Sequence, residues 1–216
     1  LPAAQLVAIK VMDGGNGFCC TSDVVAALDW IATQHPDTAV VNLSLGTWDL
    51  FAGACDASAS YLIALKSAVD TLNAQGTVVV ASSGNQGDLQ RMAAPACLSN
   101  VLGVAATWDM TAESTTFLGC TEASRSPRQP TCFSNRSTTT ALFAAGAFVR
   151  SAGLNGGISS YGGTSQAAPM IASGRSLRTL RTERAPSVRC TPSRPRRSTI
   201  RMWFSITTAT SRAWAT

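Results

Sequence analysis

Apolar residues along this chain fall into two alternating patterns. Short, nearly continuous apolar runs occur at residues 6–12 (LVAIKVM), 39–45 (AVVNLSL), 77–82 (TVVVAS), 101–106 (VLGVAA) and 141–145 (ALFAA). Runs of this kind suit strands covered on both faces, as in a parallel sheet. Between the first three runs lie two segments whose apolar residues recur three and four positions apart. Residues 22–34 put Val24, Ala27, Leu28 and Ile31 on one helical face, and residues 61–74 do the same with Leu62, Leu65, Val69 and Leu72. Ser22 can cap the first helix, Asp23 complements its dipole, and His35-Pro36-Asp37 ends it. Gly76 follows the second helix as a C-cap. The order strand, helix, strand, helix, strand predicts an α/β fold with a parallel sheet flanked by helices. Residues 114–118 are a further predicted strand, 47–60 and 119–136 read as loops, and 157–161 lead to a last helix starting at Ser165.

That last helix is expected to run on, apolar and buried, but the pattern stops. From residue 175 to 216 the chain is rich in Arg, Ser, Thr, Pro and Ala, with no Gly and no Lys. A buried helix cannot take unpaired Arg without large cost. The chain is therefore divided into a folded part, 1–174, and a tail, 175–216, read as disordered or translated in a shifted frame, with Trp203, Phe204 and Trp214 accidental. The competing reading is a basic tail that binds nucleic acid or an anionic surface. The formal net charge of +5 belongs to this tail, which holds ten of the 17 Lys and Arg. The folded part has seven bases against eleven acids, so the basic balance carries no information about its partners.

Length and composition narrow the class. A chain of 216 residues, 45% hydrophobic and 13% charged, can hold one domain with a sizeable core. No apolar run reaches the length of a membrane span. The chain opens into a strand pattern without Met or a basic leader, so an N-terminally incomplete chain is expected. Seven Cys occur with one His and no C-x-x-C, which removes zinc spacing and favours disulfides in an oxidising compartment. Cys55 with Cys97, and Cys120 with Cys132, are the expected pairs, because each flanks a long irregular loop. Asn42-Leu43-Ser44 and an exposed Asn135-Arg136-Ser137 match the glycosylation sequon, both weakly.

The chemistry concentrates at Gly162-Gly163-Thr164-Ser165-Gln166-Ala167-Ala168-Pro169. Two glycines permit tight backbone geometry and close approach to a substrate. A helix beginning at the Ser would aim its free N–H groups and positive dipole end at a developing oxyanion. Asn85, directly after the third strand, is a side-chain amide that can donate to the same charge; its simpler role is a turn residue. His35 is the only possible imidazole base, and it is rejected. It lies where a helix enters a strand, whereas sites in open parallel sheets lie beyond the strands' carboxyl ends.

G-T-S-x-A-x-P at Gly163–Pro169 resembles the nucleophile motif of subtilisin-like serine proteases. Asn42-Leu43-Ser44-Leu45-Gly46 resembles that family's substrate-binding strand, and Ala81-Ser82-Ser83-Gly84-Asn85 its oxyanion segment. The resemblance implies the subtilisin-like three-layer fold, here incomplete, and a secreted serine endopeptidase acting on an extended polypeptide. It implies Ser165 as nucleophile and Asn85 as oxyanion donor. Ser44, Leu45, Gly46, Ser82, Ser83 and Gly84 would form the substrate cleft, with Gly17, Phe18 and Cys19 as a backbone edge pairing with the substrate. It implies calcium as a stabilising ion, though no ligand cluster is assigned, and a monomer without nucleic-acid or membrane partners. The family places its Asp and His before the first strand, and neither D-T/S-G nor H-G-T-H occurs in these 216 residues. The chain is therefore expected to be the carboxyl-terminal part of such a domain, inactive by itself. A catalytically dead peptide-binding module is the alternative.

Overall fold

The protein is described from a computed structural model, covering residues 4–15, 17, 20–183 and 201–204. Its centre is a six-stranded, all-parallel sheet. The strands are Gln5–Val7 (β1), Val40–Leu43 (β2), Val78–Ser82 (β4), Leu102–Thr107 (β6), Leu142–Ala145 (β9) and Arg201–Phe204 (β12), in the order β1-β12-β2-β4-β6-β9. The helices Thr21–Gln34 (α1), Ser60–Ala74 (α2) and Thr164–Glu183 (α3) complete three layers.

The pleat sorts the core. Alternate residues of a strand face opposite sides. Val41, Leu43, Val79 and Ala81 pack with Leu28, Ile31, Leu65, Val69 and Leu72 of α1 and α2. Val40, Val80, Val104 and Ala106 pack instead with Ala167, Ala168 and Ala172 of α3. The alanines are completely buried, so small side chains let the start of α3 lie close against the sheet. Val40, Val41, Val79 and Val80 are 0–1% exposed, as expected for strands covered on both sides.

The helix ends follow local chemistry. α1 starts two residues earlier than a Ser22 cap would place it, with Cys20 as N-cap and Asp23 in the first turn. At the end of α2, the Gly76 N–H donates to the Asn73 carbonyl and the Thr77 N–H to the Leu72 carbonyl, with Gly76 at φ +87°. This is a Schellman closure, and the left-handed backbone is why Gly is needed there.

Three expectations are corrected. The run at 6–12 is not a buried strand. Only Gln5–Val7 is strand, at the sheet edge, and Leu6 is 64% exposed. Val7, Ile9 and Val11 are half-buried and alternate with exposed neighbours, because only one face of this segment is covered. The loops at 47–60 and 119–136 contain strands. Leu50–Ala52 (β3) pairs antiparallel with Arg91–Ala93 (β5), and Ala112–Phe117 (β7) with Cys120–Arg125 (β8). Leu118 and Gly119 both have positive φ, as a tight two-residue hairpin turn requires. Val149–Ala152 (β10) and Ile158–Tyr161 (β11) form another hairpin. Helix α3 continues to Glu183, and β12 lies in the sheet between β1 and β2. The rest of the predicted tail, including Trp214, lies outside the described residues.

Both expected disulfides form, Cys55–Cys97 and Cys120–Cys132. Cys20 is a free, exposed thiol. No helix among the described residues is long and apolar enough to cross a membrane.

Candidate active site

The site is built where β2 and β4 end and α3 begins. Gly146, after β9, is the floor: its N–H donates to the Thr107 carbonyl, and its own carbonyl accepts the Gly163 N–H at 2.6 Å. A Cβ on Gly146 would stand 2.7 Å from both the Ala106 methyl and the Gly163 carbonyl, so no larger residue fits. The Gly163 carbonyl then accepts the N–H groups of Gln166 and Ala167, which starts α3. Ser165 thus sits in the first turn, half-buried, where helix N–H groups have no partners from within the helix.

Thr164 joins this turn to the segment that follows β4. Its side chain is completely buried. Its Oγ1 accepts the Gly84 N–H at 3.1 Å and donates to Asn85 Oδ1 at 2.9 Å. The Thr164 N–H also donates to Asn85 Oδ1 at 2.9 Å. With Oδ1 held twice, the other end of the Asn85 amide is Nδ2, a donor. Gly84 has φ +105°, and a Cβ there would come within 2.4 Å of Asn135 Nδ2.

Asn135 braces the segment from beneath. Its Oδ1 accepts the N–H groups of Gln86 and Asp88, each at 3.0 Å, and its backbone carbonyl accepts the Ser83 hydroxyl at 2.7 Å. It is fully buried, so the exposed sequon expected at Asn135 is corrected: this side chain is a structural clamp. Asp88 closes the loop. The N–H of Gln90 and the Arg91 guanidinium hold its carboxyl below the usual carboxylate range, outweighing the effect of burial. Arg91 Nη2 lies 2.6 Å from Asp88 Oδ2.

The ends of β2 and β4 lie beside this turn. Ser82 Oγ donates to the Leu45 carbonyl at 3.1 Å, tying the two strand ends together. Gly46 packs on Ala93, where a Cβ would lie 2.9 Å from the Ala93 methyl. Ser44 Oγ donates to the Ser165 carbonyl at 2.8 Å, and Ser165 Oγ to the Ser44 carbonyl at 3.4 Å. Ser44, Ser82, Gly84, Asn85 and Ser165 therefore meet in one place, with Leu45, Gly46 and Ser83 behind them. Gly17 behaves differently. Its N–H donates to Asp13 Oδ1, and its carbonyl accepts the Asp13 N–H, so a turn occupies both groups. The N–H of Gly17, then that of Gly15, hold the Asp13 carboxyl low. Phe18 and Cys19 lie outside the described residues. His35 stands at the entry to β2, its ring against Trp30, at the opposite end of that strand from Ser44.

A family model described as the Subtilase family matches residues 1–192. The chain belongs to that family. It is 32% identical over 172 residues to Subtilisin-like protease 2 of Pseudogymnoascus destructans, covering 78% of this chain and 36% of the relative. It is 29% identical over 176 residues to subtilisin amylosacchariticus of Bacillus subtilis subsp. amylosacchariticus, covering 82% of this chain and 39% of the relative. The chain therefore spans less than two-fifths of either relative's length. Among solved structures, a cold-adapted subtilisin-like serine proteinase matches with a TM-score of 0.57 and 24% identity, over 80% of this chain and 52% of that one. The patellamide maturation protease PatA matches with a TM-score of 0.61 and 18% identity, over 85% and 74%. These two establish the likeness of fold. The subtilase match runs past Gly174, in keeping with the continuation of α3. Among the described residues no group of three or more His, Cys, Asp or Glu could hold a metal ion, so no residues of this subtilase are assigned to calcium.

Proposed function

We propose that this chain carries the nucleophile and oxyanion side of a serine-type endopeptidase site. One observation carries the reading. Ser165 lies in the first turn of α3 while Thr164, its neighbour, holds Asn85 by the acceptor end of its amide. In the proposed reaction Ser165 Oγ adds to the scissile carbonyl and gives its proton to a base. The carbonyl oxygen becomes an oxyanion, held by Asn85 Nδ2 and the Ser165 N–H. Collapse breaks the C–N bond, and the leaving amine takes the proton back from the base. His35 is the chain's only His and lies at the far end of β2, so the proposal takes the base and its orienting carboxylate from outside residues 1–216.

The substrate is an extended polypeptide, gripped by backbone along Ser44–Gly46, which binds without regard to sequence and leaves selectivity to a pocket framed by Ser44–Gly46 and Ser82–Gly84. Two disulfides support an extracellular place of action, since such bonds persist in oxidising compartments. The test is covalent labelling with a fluorophosphonate. Labelling that S165A abolishes supports the proposal, and without an internal base it is expected to be slow. No labelling, together with saturable binding of an extended peptide, would replace it with a peptide-binding module that does not turn over.

A further inference from the structure

Helix α3 contains a proline one turn beyond the nucleophile. In a regular helix the N–H of residue 169 would bond to the carbonyl of residue 165. Pro169 has no N–H, and a proline ring crowds the carbonyl four residues before it. The Ser165 carbonyl is thereby turned from its helical partner toward β2. The Ser44 hydroxyl meets it there at 2.8 Å.

A hydroxyl has one proton. With that proton given to Ser165, Ser44 Oγ can only accept, and Asn42 Nδ2 donates to it at 2.9 Å. The pleat makes this possible. Val40, Asn42 and Ser44 lie on the α3 side of the sheet, and Asn42 and Ser44 are 2% and 6% exposed. With Nδ2 aimed at Ser44, Asn42 Oδ1 is buried with no hydrogen-bond partner among the described residues. A buried acceptor without a partner is costly. An apolar residue would fill the same place without that cost, as Val40 does on the same face.

We infer that Asn42 and Ser44 are positioning residues for Ser165. They form a two-step donor chain that replaces the hydrogen bond Pro169 cannot make, and so set the first turn of α3 that presents the Ser165 hydroxyl and N–H. The chain itself rests on geometry; its effect on acylation rests on the hydrolase reading above. Ser44 then serves the nucleophile with its side chain and offers a peptide only its backbone.

Ser165-Gln166 is the single Ser–Gln dipeptide in the sequence. Carbonyl-13C serine with 15N-glutamine labelling of the full chain therefore yields one amide–carbonyl correlation, which reads the Ser165 carbonyl. S44A and N42L are each expected to move it upfield, and their effects not to add, because both remove the same bond. S44T keeps a hydroxyl and is expected to keep the wild-type position. S44C, a weaker donor, reads the same bond by an intermediate shift if S44A does not fold. P169A restores an N–H, so S44A should matter less in that background. Fluorophosphonate labelling should slow about five-fold in S44A, the weight of one ordinary hydrogen bond, and recover in S44A/P169A. A carbonyl that ignores S44A, additive effects of S44A and N42L, or an S44A effect undiminished by P169A would overturn the inference. If the resonances follow expectation and Ser165 never labels, the donor chain stands and the hydrolase reading falls.

Discussion

Thr164 shows how much of the candidate site depends on one side chain in a buried place. Its hydroxyl accepts from Gly84 and donates to Asn85, so it orients the proposed oxyanion donor. Asn85→Leu should slow labelling of Ser165 by about 100- to 1,000-fold, a magnitude established on subtilisin for loss of one such donor. Thr164→Val should remove the hydroxyl's bond to Asn85 Oδ1 and keep the backbone N–H bond, for a smaller loss of about ten-fold. Both are read as second-order rate constants for fluorophosphonate labelling. An Asn85→Leu protein that labels at the wild-type rate would remove Asn85 from the oxyanion role. At this scale the motif was legible: Ser165, Asn85 and Ser44 could be named from their neighbours in sequence. Asn135 could not. It stands 50 positions from Asn85, in a stretch that reads as a polar loop, and only folding places its amide under the N–H groups of Gln86 and Asp88.

Elements were legible where periodicity is strong. The stripes of α1 and α2 were found because Leu28, Ile31, Leu65 and Leu72 recur at helical spacing and are buried. Leu72 is fully buried against the sheet, and Leu72→Ala is expected to cost about 2–5 kcal/mol, measured by urea denaturation. The strand predicted at 114–118 is β7, but its partner β8 was missed because Cys120–Arg125 is polar and half-exposed, so the pairing leaves little pattern. The loop from Gly84 to Arg91 carries a pH prediction. The folded-state pKa of Asp88 is depressed, chiefly by the Gln90 N–H and then by Arg91. Its contribution is therefore fully present above the ordinary carboxylate value and lost as pH falls through the depressed one. Amide protection of residues 84–91, corrected for intrinsic exchange, should fall over that acidic range, and D88N should show the lower protection already at neutral pH. Protection in the wild type that stays constant on acidification would show that Asp88 does not hold the loop.

For the whole molecule, the disulfides and the sheet order matter most. Cys55–Cys97 closes a 42-residue separation that contains α2, β4 and β5. In the chain-entropy account its loss costs about 4 kcal/mol, against about 3 kcal/mol for the shorter Cys120–Cys132 loop. The two double-alanine variants, compared by denaturant midpoint, should rank in that order; the reverse order would show that strain or residual structure outweighs loop length. Strand order gave no warning in the sequence. β1 and β2 are joined by α1 yet are not neighbours, and the position between them is held by β12, from a segment whose composition suggested no place in the fold.

By itself the sequence determined the alternation of strands and helices, the parallel sheet and the G-T-S-x-A-x-P motif. These depend on near neighbours: spacing on one face, a Gly at a turn, a Ser beside small residues. Only the tertiary structure decided which polar groups hold that motif. Pro169 removes a hydrogen bond from Ser165, and the substitute comes from Ser44, 121 positions away, backed by Asn42. A missing N–H can be read from one letter. Its replacement depends on two strand ends and a helix meeting, and only packing brings them together.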